Sequence, residues 1–329
     1  MQRHSFASLA LCTLLLLPLA GCGATAVVTN AQATRESGLT VSGLYLGGSM
    51  RAADLATLEQ LQNMADPVQM AQRMEALAAE LDEFCAAQPG SFSVYLQDLT
   101  SGQEYTYKAD TLYYPASTLK VPYALWLCQR DDAGEIDLDT PLPNQFVGRM
   151  QGTALEKYND FSTIPARAAI RAMIVNSDNN AVTLLTTQWP AGEDSGFPQF
   201  LADLGFAAAD TCTITPERRI LGMASAADLG RAMEALFLYF DGGTDNAPFL
   251  KECLLAADQE ILYVPEGVAA AKKYGSWDYA YHDAAIVYAA HPYILVCMTD
   301  QGDAAVDFPP AATAAMQELG KRVYEGLND

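Results

Sequence analysis

Ser117-Thr118-Leu119-Lys120 is followed in order by Ser177-Asp178-Asn179 and by Lys273-Tyr274-Gly275. A Ser-x-x-Lys or a Lys-x-Gly arises by chance roughly once in a chain of this length, whereas Ser-Asp-Asn arises in about one such chain in twenty. The ordered set therefore says more than its parts. The chain holds only seven lysines, and they include the one three residues after Ser117 and the adjacent pair Lys272 and Lys273. A serine hydroxyl needs a neighbouring base to become a nucleophile, and residues i and i+3 of a helix share a face. Lys120 is placed to reach Ser117, provided that it is neutral. Burial and a second cation, Lys273, would both lower its pKa. Pro115-Ala116 and the apolar run from Leu119 to Leu127 predict a buried helix with Ser117 at its N-terminus, where backbone N–H groups face a reacting carbonyl. Taken alone, the stretch also fits a Ser-capped core helix with Lys120 in solvent.

Together with Tyr113-Tyr-Pro-Ala-Ser-Thr-Leu-Lys-Val-Pro, the helix Pro165–Val175 running into Asn176-Ser-Asp-Asn-Asn-Ala, and the strand Asp283-Ala-Ala-Ile-Val-Tyr, these motifs resemble the class A β-lactamase and penicillin-binding superfamily of serine hydrolases over roughly residues 68–329. The 60-residue separation of Ser117 and Ser177 matches as well. The resemblance implies that Ser117 is acylated, that Lys120 is the general base or part of a proton relay, and that Ser177 passes a proton to the leaving group. It also implies that Asn179 holds the substrate's amide side chain and that Lys273 attracts its carboxylate. It further implies an edge strand carrying Gly275 and Ser276, and an oxyanion hole made by the backbone N–H groups of Ser117 and Ser276. The family has a small hydroxyl residue at the place of Tyr274, so a bulky ring there puts the ordinary β-lactam pose in question.

The superfamily's efficient hydrolases carry a Glu-x-x-Leu-Asn loop whose glutamate activates the deacylating water, and this chain has no such element. What remains is Thr213-Ile-Thr-Pro-Glu217-Arg218-Arg219. Glu217 is either a substitute base or, as its context favours, a solvated loop acid paired with Arg218 or Arg219. Acylation with slow deacylation follows, on β-lactams or D-alanyl cell-wall peptides. The alternative is a non-catalytic cell-wall-binding lipoprotein that retains the fold.

Arg3 and His4 precede a short apolar stretch ending in Leu19-Ala20-Gly21-Cys22. The stretch is too short for an ordinary span and ends in small residues, as a signal peptide does. Its resemblance to bacterial lipoproteins makes residues 1–22 a signal with Cys22 as the lipidated terminus, on an exported protein held at the outer face of the cytoplasmic membrane or in the periplasm. Removing it leaves 18 basic against 40 acidic residues, a formal charge of −22. Such a surface repels nucleic acid and anionic head groups, so the membrane would be met through the lipid alone. Residues 23–66 read as a tether, with an r.m.s. reach of roughly 35 Å if flexible.

Residues 67–329 suit one domain with a sizeable core. Asp66-Pro67 opens a helix with the stripe Met70, Met74, Leu77, Leu81 and Phe84. Hairpins are expected around Ser101-Gly102 and around His291-Pro292, and a last helix over 312–324. The predicted class is α/β of the α+β type, an antiparallel sheet flanked by helices plus an all-helical lobe. Cys85, Cys128, Cys212, Cys253 and Cys297 sit in apolar surroundings and read as buried free thiols. No metal-ligand spacing occurs, and the resemblance calls for no cofactor. His282 and His291 are the only histidines after the signal stretch, which leaves no Ser-His-Asp triad. His282, near Lys273 in sequence, either lines the site edge or, as the safer reading has it, is an ordinary strand histidine. A monomer is expected.

Overall fold

Pro67, whose missing N–H costs nothing at a helix start, opens helix α1 (Pro67–Ala86), and Met70, Met74, Leu77 and Leu81 on one face are buried. The computed structural model describes residues 39–41, 67–146, 150–258 and 261–329. The signal stretch with Cys22 and most of the expected tether lie outside them. Three residues of that tether, Leu39–Val41, form strand β1, pairing with residues 103–105.

After α1 come β2 (Phe92–Asp98) and β3 (Gln103–Tyr107), then a 3-10 turn at Ala116–Leu119 that runs into α2 (Lys120–Asp132). The ribbon β4 (Pro141–Pro143) and β5 (Thr163–Pro165) leads into α3 (Ala166–Val175), α4 (Asn179–Gln188) and α5 (Phe197–Asp203). A second ribbon, β6 (Thr213–Ile214) and β7 (Ile220–Leu221), precedes α6 (Ala226–Asp241) and α7 (Ala247–Leu255). The chain returns as β8 (Ala269–Trp277), β9 (Ala280–Tyr288) and β10 (Tyr293–Thr299), and ends in α8 (Pro310–Asn328).

The main sheet runs β1-β3-β2-β10-β9-β8, every pairing antiparallel. This is the α+β arrangement expected. The central strands are buried on both faces, and their period-two alternation divides them between two cores. Val94, Leu96, Leu295 and Val287 face α1 and α8, whereas Tyr95, Val296, Ile294 and Ile286 face the helical lobe. Ser225 caps α6, its hydroxyl accepting from the Asp228 N–H while the Asp228 carboxylate accepts from the Ser225 N–H; such a reciprocal cap satisfies two helix-start donors.

Besides strand β1, the elements differ from the sequence-based expectation at the Ser117 turn and at the last helix. The α-helix begins at Lys120, so Ser117 sits on the preceding 3-10 turn, where residues i and i+3 eclipse rather than stagger. The last helix runs longer at both ends than expected. All five described cysteines are free and buried, and among the described residues no helix is long and apolar enough to cross a membrane.

Helix α6 meets β2 at Gly230, where a Cβ would lie 2.3 Å from a ring carbon of Tyr95. Gly230→Ala should therefore lower stability by about 1–3 kcal/mol through overpacking. The check is a urea titration, in which the midpoint should fall with the slope unchanged.

Candidate functional site

The residues around Ser117 are held by an unusual backbone. Ala116 has φ +49°, a left-handed conformation that a non-glycine residue keeps only when its surroundings enforce it. Thr118 donates its hydroxyl proton to Pro115 O at 2.7 Å, and Tyr113 forms an antiparallel bridge with Ala224. From behind, the buried His282 ring spans two elements. Its Nδ1 accepts from the Thr299 N–H at 3.2 Å, which leaves Nε2 to donate to Tyr114 O at 2.9 Å. The ring is neutral, its pKa lowered to about 4 by burial. His282 stands opposite Gly275 in the β8–β9 register, so it supports the turn rather than lining the site.

Gly275 permits the next approach. A Cβ there would lie 2.8 Å from Pro115 O and 3.1 Å from Ser117 N, closer than any side chain tolerates. Strand β8 thus passes directly against the Ser117 turn, which brings Ser276 into the same cavity as Ser117.

Lys120 is 6% exposed. Its Nζ donates to Ser177 O at 2.6 Å and to Asn179 Oδ1 at 2.9 Å, and stands 3.1 Å from Ser177 Oγ. Ser117 Oγ is not among its partners. Burial first, and then the charge of Lys273, hold the Lys120 pKa well below the usual lysine value, with Asp178 opposing and Arg219 adding to the depression. The turn between α3 and α4 creates this nest. Asp178 donates its N–H to Ala172 O, Ser177 takes φ +55°, and the Asp178 carboxylate caps α4 by accepting from the N–H groups of Asn180 and Ala181. Sequence order alone showed neither the break nor the left-handed serine.

Lys273 is 1% exposed. Its Nζ donates to Tyr274 O at 3.0 Å and lies 4.2 Å from the centroid of the Tyr274 ring, a favourable cation–π position. Burial pushes its pKa down to about 7 against the opposing pull of Asp283. The Tyr274 ring packs on Phe308 with centroids 5.8 Å apart. Burial raises the pKa of its phenol, and a side-chain hydrogen bond with Ser177 counters part of that rise. Ser177 is therefore contacted by both Lys120 and Tyr274.

A cavity of about 590 Å³ opens on Ser117 and is lined by Lys120, Asn179, Glu217, Arg219, Ser276 and Trp277, with Tyr114 and several apolar side chains. Glu217 is exposed, and among the described residues no cation pairs with it, neither Arg218 nor Arg219. Of the sequence-predicted residues, Ser117, Lys120, Asn179, Ser276 and Glu217 line this cavity, while Ser177, Lys273, Tyr274 and Gly275 do not line it and are joined to the lining residues or to one another by the contacts above. Sequence reasoning weighed Arg219 only as a partner for Glu217 and gave no role to Trp277 or Tyr114. Among the described residues no cluster of metal-ligating side chains occurs.

The model of the β-lactamase enzyme family matches residues 75–327. Among solved structures, PBP-A aligns at TM-score 0.64 and 19% identity, covering 76% of this chain and 95% of that one. A β-lactamase from Chitinophaga pinensis gives 0.64 and 18%, covering 77% and 100%, and one from Burkholderia vietnamiensis gives 0.65 and 22%, covering 76% and 96%. At such identities the likeness is one of fold. No curated protein matches the chain.

The buried His282 makes stability depend on pH. In the unfolded chain it titrates near 6.5 and in the fold near 4, so the stability gained from the neutral ring is full above about 6.5 and is lost as pH falls towards 4. Asp283, pushed up to about 6 by burial, acts in the opposite sense, since acid relieves the cost of its charge. His282→Asn should lower stability at pH 7.5 and flatten its decline between pH 6.5 and 4. Denaturant titrations across that range decide it, and an unchanged slope would refute the assignment.

Proposed function

The chain belongs to the β-lactamase enzyme family, and from that premise we propose that it is a serine hydrolase forming an acyl-enzyme on Ser117 with β-lactams or D-alanyl cell-wall peptides and releasing it slowly. The observation that carries this reading is the buried Lys120, its Nζ against Ser177 and Asn179 at the floor of a cavity that opens on Ser117. A PBP-A variant with this fold is known as an acyl-enzyme complex with penicillin G, which supports β-lactams as acyl donors.

The step balances over the residues present. Ser117 Oγ forms a bond to the carbonyl carbon as its proton passes to neutral Lys120. The oxyanion meets the backbone N–H groups of Ser117 and Ser276. As the C–N bond breaks, Ser177 gives its proton to the departing nitrogen and regains one from Lys120, 3.1 Å away. Lys120 ends as it began. Substrate binding must bring Ser117 Oγ within reach of Nζ, a tightening common in such sites. Asn179 holds the amide of the acyl side chain. Lys273 acts through its charge on Lys120, because it lies under Tyr274 with 1% of its surface exposed.

Slow release follows from the remaining lining. Among the described residues Glu217 is the one carboxylate on the cavity wall. It is exposed, and no described side chain fixes its carboxylate, whereas activating a water demands a base held in place.

Intact-mass measurement after incubation with penicillin should show a lasting adduct of one molecule, absent in Ser117→Ala. Glu217→Gln should leave the adduct's lifetime unchanged; a longer lifetime would make Glu217 the deacylating base. Because the Lys273 charge helps hold Lys120 neutral, Lys273→Met should move the acid limb of the acylation rate profile to higher pH. An unmoved limb would remove that role from Lys273.

A further inference from the structure

We propose that Arg219 is a substrate-binding cation that receives a carboxylate carried on the acyl side of the scissile amide, so that the site is built for anionic acyl donors. The inference rests on the acyl-enzyme reading above and adds the substrate's charge to it. Arg219 lines the same cavity as Asn179 and Ser117. Its Nε is enclosed and has no hydrogen-bond partner, and among the described residues no carboxylate pairs with its guanidinium.

That lack of a partner runs against the composition. Acids outnumber bases 40 to 19, and of the eight described arginines Arg130, Arg167, Arg171, Arg231 and Arg322 each hold a carboxylate, whereas Arg73, which bonds Leu327 O, Arg218 and Arg219 hold none. Arg219 reaches no such partner although Glu217 stands two residues away. The backbone around it is fixed: Thr215 N–H donates to Arg219 O at 2.9 Å, Arg219 N–H donates to Thr215 Oγ1 at 3.1 Å, and the Thr186 hydroxyl donates to Arg218 O at 2.8 Å. The guanidinium is thus carried on a pinned ribbon at the cavity wall.

The other cation expected to take a substrate carboxylate is withdrawn. Lys273 is 1% exposed, with its Nζ bonded to Tyr274 O and covered by the Tyr274 ring. Of the two basic residues lining the cavity, Lys120 is taken up by Ser177 and Asn179, so Arg219 offers the guanidinium, and its planar fork suits a carboxylate with two parallel hydrogen bonds. Its field also lowers the Lys120 pKa, so an anion placed against it would tune the base as well as anchor the donor.

Benzylpenicillin and α-carboxybenzylpenicillin differ by one carboxylate on the acyl side chain, and they make the test. In the parent the ratio of acylation rate constants, dicarboxylate over monocarboxylate, should exceed that of Arg219→Gln by roughly tenfold to a hundredfold, the range for losing a charged hydrogen-bond pair. Arg219→Lys should recover part of the ratio, and raising the salt should shrink it in the parent. A ratio that does not move in Arg219→Gln overturns the proposal. If neither penicillin acylates the parent, the acyl-enzyme reading fails by itself. Arg219 is then decided by calorimetric affinities of Ser117→Ala: a preference for the dicarboxylate that vanishes when Arg219→Gln is added supports the anion site, and no preference overturns it.

Discussion

The contact between strand β8 and the Ser117 turn at Gly275 is the constraint on which the site depends. The strand belongs to the sheet and the turn opens the first helix of the lobe, so sheet and lobe are joined at a point where no Cβ fits. Everything reactive is referenced to that point. The backbone N–H of Ser117 comes beside the strand that carries Ser276, Lys273 lies two residues before the contact, and His282 backs it from the next strand. The left-handed Ala116 and the buried imidazole are conformations that the chain would avoid if the approach were looser.

Charge is the second organising theme. The protein is strongly acidic, yet it buries two lysines within one site and leaves an arginine beside them without a carboxylate. Each burial opposes the ammonium form, and uncharged oxygens, two of the backbone and two of side chains, rather than acids receive the lysine hydrogen bonds. A carboxylate in their place would neutralise the site by pairing and keep Lys120 protonated. Oxygen acceptors without full charge satisfy the amine and still let it lose a proton.

Much of this was legible in the sequence. The three motifs named Ser117, Lys120, Ser177, Asn179 and Lys273, and the alternating strands and apolar helices gave the α+β class, because local periodicity carries that information. The depth of Lys273 was not legible. It depends on Tyr274 folding over it and on Phe308 arriving from 34 residues further along. Arg219 was masked by its neighbour, since two opposite charges two residues apart look like a pair until a tight ribbon holds them apart. Strand β1 escaped because three residues at the edge of the sheet are too few to show a period within a stretch rich in glycine, serine and threonine.

The five described thiols are all buried and unpaired, with pKa values raised by burial at Cys85, Cys212 and Cys253 to about 12, 12 and 11. Thiols so protonated are poor at exchange. Among the described residues the architecture therefore rests on packing rather than on cross-links between these five thiols, and their burial shields them from exchange whether the surroundings oxidise or reduce.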